Sequence, residues 1–212
     1  MGDNSDFNVK FGKLAGRFTN IVLLGFFTTL CSLPIITIGA SFTALNAATK
    51  AYLFENEDKP LRIFFESFKK HFGLSTKIWL LHILAYAVLI WDYVYYRTSE
   101  ATIDILASAG IFVTFAFLVF ETTMVFVVIA LEKSKKVFET IKIALDIAMI
   151  SPLRSGMILF LEAAVVIIAL FLFRGLILII PGIVAYLAWQ IIPDMLKNYK
   201  FRNSNRNSNE LS

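Results

Sequence analysis

Residues 18–49 read FTNIVLLGFFTTLCSLPIITIGASFTALNAAT, a run of 32 residues without one charged side chain. A helix crosses the ~30 Å hydrocarbon core of a bilayer with about 20 residues, because each residue adds about 1.5 Å. The run is therefore long for a single span, and Pro34 interrupts it near the middle. It is either one long span or a hairpin of two short helices. Residues 18–33 reach only about 24 Å as a helix, so a re-entrant hairpin is a third alternative.

Four further apolar runs follow along the chain, at residues 78–94, 105–131, 156–173 and 176–192. The whole chain has 212 residues, of which 58% are hydrophobic and 17% are charged. Soluble domains carry roughly 45–50% apolar and about 25% charged residues, so the composition excludes a soluble globular domain and a disordered chain. We predict an all-α, polytopic transmembrane helical bundle of about six spans, or five if the first run crosses once.

Basic residues choose between these topologies through the positive-inside rule. With a hairpin in the first run, all of the 20 Lys and Arg residues except Arg97 and Arg174 fall on the cytoplasmic side. With a single first span, five would lie outside. We therefore expect a multi-pass membrane protein with both termini in the cytoplasm, whether the hairpin crosses or re-enters.

The predicted organisation is a cytoplasmic segment at 1–17, one transmembrane domain at 18–196 and a disordered cytoplasmic tail at 197–212. The tail is polar and of low complexity, which is typical of disorder. Amphipathic interfacial helices are expected at 60–72 and 134–150, where apolar residues recur with helical spacing beside Lys and Arg. The predicted spans are 18–33, 35–54, 78–96, 105–131, 156–173 and 176–195.

The net charge of +4 and the pI of 9.1 have a simple explanation in this setting. Basic residues flank the apolar runs, so we expect them to contact anionic lipid headgroups of the bilayer at the interfacial helices. Nucleic acid is not an expected partner. The sequence leaves the oligomeric state open.

Three ionisable residues inside the apolar runs form a candidate intramembrane polar site: Glu121, Glu162 and His82. Glu121 lies about 15 Å and Glu162 about 9 Å from the cytoplasmic ends of their helices. A charge at the bilayer centre costs at least about 2.5–3.5 kcal/mol unless it is paired, hydrated or neutralised. The site is either a proton or cation relay, or a polar cavity that holds a substrate. The alternative is a set of interhelical hydrogen bonds that fix packing.

Pro34 and Gly39 form a candidate broken-helix element of the kind that lines transporter cavities. The small residues Ala40, Ala44 and Ala48 repeat every four positions beside them, and such a stripe lets another helix approach closely. We expect the alanine stripe to be a packing surface.

Enzyme signatures are missing from the sequence, which has no H-E-x-x-H, no G-x-S-x-G and no P-loop. Two His and a single Cys make a zinc site improbable on composition. We therefore expect a non-enzymatic protein with no catalytic residue, no metal site and no cofactor.

Two stretches resemble the YesL-like family of bacterial integral membrane proteins of unknown function. They are LPIITIGA at residues 33–40, and FFESFKKHF at residues 64–72 followed by Trp79-Leu80. The resemblance implies a plasma-membrane protein that is accessory to sugar use, since members of the family often lie near genes for carbohydrate uptake and breakdown. Carbohydrate transporter subunits or a membrane sensor are the implied partners. The leading hypothesis is an accessory or regulatory component of carbohydrate uptake. The rival is a small solute transporter or channel that uses Glu121 and Glu162.

Overall fold

The computed structural model describes residues 3–55, 57–97, 102–172 and 178–210. These residues form seven α-helices and one short 3-10 helix, and no strand occurs among them. The all-α class is confirmed. The helices are α1 (Asp3–Cys31), α2 (Ile38–Phe54), α3 (Pro60–Arg97), α4 (Thr102–Ala130), α5 (Val137–Ile150), α6 (Pro152–Leu172) and α7 (Ile180–Glu210), and the 3-10 helix is Ile35–Thr37.

Two helices are long and apolar enough to cross a membrane, namely Pro60–Tyr96 of α3 and Leu106–Ala130 of α4. A third candidate is the pair Val137–Ile150 and Pro152–Ala164, which passes as one unit bent by 102°. The shorter helix Phe18–Cys31 is also apolar. Among the described residues, two to three helices thus have the length and composition of membrane spans, and the larger number of about six stays a prediction.

The first apolar run folds as two helices joined at Pro34, where the backbone is extended. Thr37 Oγ1 lies 2.7 Å from the carbonyl oxygen of Pro34 and closes the turn. Trp79 Nε1 donates a 2.7 Å hydrogen bond to the carbonyl oxygen of Ile35, which ties this turn to α3. Trp79 precedes Arg97 by 18 residues, so the tip of the α1–α2 hairpin ends about 27 Å short of the end of α3.

Helix α2 lies inside the bundle, and its small residues make this placement possible. Ala40, Ala44 and Ala48 are all fully buried, which confirms the stripe as a packing surface. A Cβ atom on Gly39 would come within 2.7 Å of the carbonyl oxygen of Ser75 on α3. Gly39 therefore belongs to the α2–α3 contact, whereas Pro34 belongs to the break.

Helices α1 and α7 cross at a second close contact, formed by Gly25 and Gly182. A Cβ atom on Gly25 would lie 2.7 Å from the carbonyl oxygen of Ile179, and one on Gly182 would clash with the carbonyl oxygen of Ile21. Only hydrogen atoms fit between the two backbones there, so both positions require glycine.

The region expected to contain an interfacial helix at 60–72 and a span at 78–96 forms one continuous helix, α3. Helix α5, expected at 134–150 as an interfacial helix, folds back so that Ile141 and Leu145 lie beside Glu121 in the middle of α4. Ser151 and Pro152 end α5 and begin α6, because proline cannot continue a helix but fits its first turn.

The segment expected to be a disordered tail, 197–212, is helical as far as Glu210, because α7 continues through it. Residues 211–212 lie outside the described residues. Residues 194–210 contain neither Gly nor Pro, so nothing in them breaks the helix. The start of this segment is held to the bundle. Asn198 Nδ2 donates to Ser151 Oγ at 3.2 Å, and Lys133 Nζ lies 4.8 Å from the centre of the Tyr199 ring.

The α1–α7 crossing supplies a direct test of this fold. Gly182→Ala forces the two helices apart, and we expect it to destabilise the protein by about 1–3 kcal/mol, as overpacking does. The measurement is the unfolding transition of the detergent-solubilised protein. Gly73→Ala is the matched control, because a Cβ at Gly73 meets nothing within 4 Å. Alanine there improves helix propensity by up to about 1 kcal/mol, so the control is expected to keep or raise stability. Equal effects of the two variants would contradict the crossing.

Candidate functional site

A buried histidine–glutamate pair joins α3 to α4. The Nε2 atom of His82 and the Oε2 atom of Glu121 are 2.5 Å apart, and the two residues are 4% and 2% exposed. The sequence predicts both as intramembrane polar residues, and the structure brings them into direct contact. Each satisfies part of the other's hydrogen-bonding requirement away from water, where an unpaired ionisable group is costly.

The remaining ring nitrogen of His82 determines how many protons the pair holds. Nδ1 lies 2.8 Å from the carbonyl oxygen of Ile78, one helical turn earlier. A carbonyl oxygen only accepts, so Nδ1 carries a hydrogen and donates it. The contact with Glu121 therefore contains one shared proton, either on the carboxyl group or on the imidazole. The pair is a proton-sharing unit in both cases.

The second carboxylate oxygen of Glu121 is the unusual atom of the site. Oε1 is buried, and no hydrogen-bond partner for it lies within the described part of the chain. A buried acceptor without a donor costs about 1–3 kcal/mol, so such an atom needs an explanation.

A pocket of about 210 Å³ lies beside the Glu121 side chain, between α3, α4 and α5. Apart from His82 and Glu121 its lining is apolar. Leu81 and Phe117, which belong to that lining, are also exposed on the outside of the bundle, so the pocket opens sideways. The lining residues are Leu81, His82, Ala85, Phe117, Leu118, Glu121, Ile141 and Leu145.

Glu162, the third predicted site residue, does not join the pair. Thr123 Oγ1 on α4 donates to its Oε1 atom at 3.0 Å. Thr123 follows Glu121 by two residues, which places the two side chains roughly 200° apart around α4. The predicted site is thus divided between two faces of α4, with His82 and Glu121 on one and Glu162 on the other.

Several polar contacts between helices were not predicted from the sequence. These contacts are Thr43 with Ser75 (2.8 Å), Tyr86 with Thr122 (2.7 Å) and Trp189 with Asn46 (3.0 Å). In the sequence, each appears only as a weakly polar side chain inside an apolar run, which does not reveal its partner. Such bonds fix how helices pack.

Within the described ranges, no three His, Cys, Asp or Glu side chains come together as a metal ion would require. The His82–Glu121 pair offers proton exchange and hydrogen bonding as its chemistry.

Comparison with known proteins gives a match to a protein family. A family model described as a protein of unknown function, DUF624, matches residues 18–93. No curated protein and no solved structure matches the chain. The matched segment contains the first apolar run and His82, and it ends before Glu121.

The coupling between His82 and Glu121 can be measured with a double-mutant cycle. His82→Leu leaves a buried, unpaired carboxyl group, and we expect it to cost about 3–5 kcal/mol. The double variant His82→Leu/Glu121→Leu removes both polar groups and is expected to recover most of that loss. The readout is denaturant unfolding in micelles. If the effects of His82→Leu and Glu121→Leu simply add up in the double variant, the coupling is contradicted. Thr122→Val, which breaks the neutral bond to Tyr86, is the control and should cost only about 1 kcal/mol.

Proposed function

We propose that this chain is a non-enzymatic, multi-pass protein of the bacterial plasma membrane that acts as an accessory or regulatory component of carbohydrate uptake. The protein binds a membrane-embedded partner through the pocket beside Glu121. The link to carbohydrate rests on the resemblance to the YesL-like family, whose members carry the DUF624 domain. The match to DUF624 over residues 18–93 supports that resemblance.

The observation that carries a binding role is the unpartnered Oε1 atom of Glu121, a residue that lines an apolar pocket. The atom accepts a hydrogen bond whether or not the pair carries the proton on the carboxyl group. A partner helix with apolar side chains and one hydroxyl or amide donor matches both features of the pocket. It covers the exposed Leu81 and Phe117 and satisfies the oxygen.

The same lining argues against a pathway for a hydrated sugar at this pocket. A sugar carries several hydroxyl groups, and each must exchange its bonds with water for bonds with the protein. The pocket presents Glu121 and His82 as polar groups among six apolar residues. Its chemistry therefore suits an apolar segment better than a polyhydroxyl solute.

A small solute transporter is the second candidate, and the proton-sharing pair itself favours it. Ionisable residues inside membrane helices frequently form proton relays in transporters. In this reading the His82–Glu121 proton couples to movement of a solute, and the break at Pro34 supplies the mobile element. Glu162 of α6, which contacts the opposite face of α4, would serve a separate step.

For the topology, we propose that the α1–α2 hairpin re-enters the membrane from the cytoplasmic side. Two observations support this arrangement: the hairpin tip meets α3 at Trp79, and the basic residues concentrate on one side. Both chain termini then lie in the cytoplasm.

The binding role predicts a selective effect of Glu121→Gln. The amide keeps the shape of the side chain and one oxygen acceptor, but it removes the negative charge and the shared proton, so a hydrogen bond from the partner becomes a weaker, neutral one. We expect normal membrane insertion and at least a tenfold loss of co-purification with sugar-transporter subunits from the same membranes, since a hydrogen bond to a charged group contributes about 1.5–3 kcal/mol. Glu162→Gln is the matched control and should leave co-purification unchanged. Equal recovery of those subunits with wild type and Glu121→Gln would refute the role of the pocket.

Liposomes that contain the purified protein separate the two candidates. An accessory protein gives no solute flux alone, whereas a transporter gives flux that depends on Glu121 and on a proton gradient. Such flux would replace the accessory role with the transporter.

The topology has its own test. A cysteine at position 35, placed in a Cys31→Ser background, lies at the hairpin tip. Re-entry predicts that a membrane-impermeant thiol reagent added outside intact cells does not label it. A cysteine at position 99, between α3 and α4, is the positive control, and labelling at both positions would favour two full spans.

A further inference from the structure

A second cavity, of about 230 Å³, lies at the end of the bundle where α2 and α4 terminate. We name it the charged cavity, after its charged and polar lining residues: Lys50, Glu55, Glu66, Ser67, Lys70, His71 and Glu132. None of the residues that line the pocket beside Glu121 belongs to it. Ligand pockets usually measure roughly 300–1,000 Å³, so a ligand here must be small.

Ser67 contributes a buried hydroxyl group whose hydrogen-bonding capacity is unused among the described residues. The residue is 7% exposed, and its hydroxyl oxygen has no hydrogen-bond partner in the part of the chain that the structure describes. Serine hydroxyls in helices ordinarily bond to the carbonyl oxygen four residues earlier or to solvent. Ser67, Lys70 and His71 are spaced three and four residues apart, so they share the face of α3 that lines the cavity.

Glu132 faces this helix from the turn after α4, with an unusual backbone. Its φ is 54°, in the left-handed region, and it is the non-glycine residue with positive φ within the described ranges. Glycine adopts this conformation easily, whereas a residue with a side chain is strained there. The strained position holds the Glu132 carboxylate 2.5 Å from Lys70 Nζ and 3.8 Å from His71 Nε2. The second distance is too long for a hydrogen bond, so His71 Nε2 is left for another partner.

Each charged side chain that lines the cavity has a partner. Glu66 pairs at 2.7 Å with Arg62, which is not part of the lining, whereas two pairs lie within the lining: Lys50 with Glu55 at 2.6 Å, and Lys70 with Glu132. The hydrogen bond from Lys70 holds the pKa of Glu132 below its usual range, so this carboxylate stays ionised near neutral pH. Because both pairs are partly exposed, each contributes little to stability and can rearrange around a ligand at small cost.

This arrangement selects a kind of ligand. A ligand with a net charge would leave one member of an ion pair without its partner. An uncharged ligand with several hydroxyl groups avoids this, because each hydroxyl both donates and accepts. Such groups can accept from Lys70 and His71 and donate to Glu132 at the same time. The Ser67 hydroxyl offers a further donor and acceptor at the wall of the cavity.

We propose that the charged cavity is a binding site for a small, uncharged polyhydroxyl ligand, held by Ser67, His71, Lys70 and Glu132. The proposal is independent of the binding role of Glu121, since the two sites share no lining residue. The same hydroxyl groups occur on a free monosaccharide or cyclic polyol and on the sugar headgroup of a neutral glycolipid. The chemistry of recognition is common to both sources.

The test is isothermal titration of the full chain in lipid nanodiscs. The probes are glucose and myo-inositol in solution and, as a second arm, nanodiscs with and without glucosyl-diacylglycerol. Saturable binding of a soluble probe supports the proposal with a free ligand. If only the glycolipid nanodiscs show a gain in thermal stability, and Ser67→Ala abolishes that gain, the proposal holds with a headgroup as ligand. The proposal is overturned if neither arm gives a response, or if inorganic phosphate or glycine betaine binds more tightly than the uncharged probes.

Variants separate a binding role from a structural one. We expect Ser67→Ala to weaken the probe at least fivefold, while Ser32→Ala leaves binding unchanged. Ser32 is the matched control because its hydroxyl is also buried and unpartnered among the described residues, but at the α1–α2 tip.

Glu132→Gly gives the sharpest contrast. Glycine suits the left-handed backbone, so the melting temperature should hold or rise, yet binding should fall at least tenfold because the carboxylate is gone. Unchanged binding in this variant, or a loss of binding that merely follows a loss of stability, would refute the site.

Discussion

The close approach of α2 to α3 is the contact on which the rest of the structure depends. Gly39 lets the backbone of α2 lie directly against α3 at Ser75, where Thr43 also bonds, and the buried Ala40, Ala44 and Ala48 leave little side-chain volume elsewhere around α2. A short helix inside the bundle can then be surrounded by α1, α3, α4 and α7. Larger side chains at these positions would separate the helices and open the core, because packed interiors do not absorb added volume.

This packing also determines where polar groups can exist. Inside an apolar bundle each one needs a partner on a neighbouring helix, and the hydrogen bonds between Thr43 and Ser75 and between Trp189 and Asn46 satisfy that need. Glu121 has such a partner for one carboxylate oxygen only, through the contact with His82. The fold therefore leaves one buried acceptor beside an apolar pocket, and this mismatch distinguishes a candidate binding site from ordinary packing.

Helix α3 carries both candidate sites. His71 in the charged cavity and His82 in the apolar pocket are 11 residues apart, which is about 16 Å along one helix. One site has paired charges at the end of the bundle, and the other has a proton-sharing pair among apolar side chains. The neighbours of α3 determine the environment of each site. Near His71, α3 meets the ends of α2 and α4, whereas near His82 it meets α5 and the part of α4 around Glu121.

The sequence by itself determined the helical class, the interruption of the first apolar run at Pro34, the packing role of the alanine stripe and the choice of Glu121, Glu162 and His82 as unusual residues. These features depend on local composition and on helical spacing, which are properties of short segments. Only the tertiary structure decided that His82 meets Glu121 while Glu162 meets Thr123, that α5 folds back along α4, and that Ser67 and Glu132 share a cavity. Those results depend on crossing points and rotations of helices far apart in the chain, where a shift of one residue turns a side chain by about 100°.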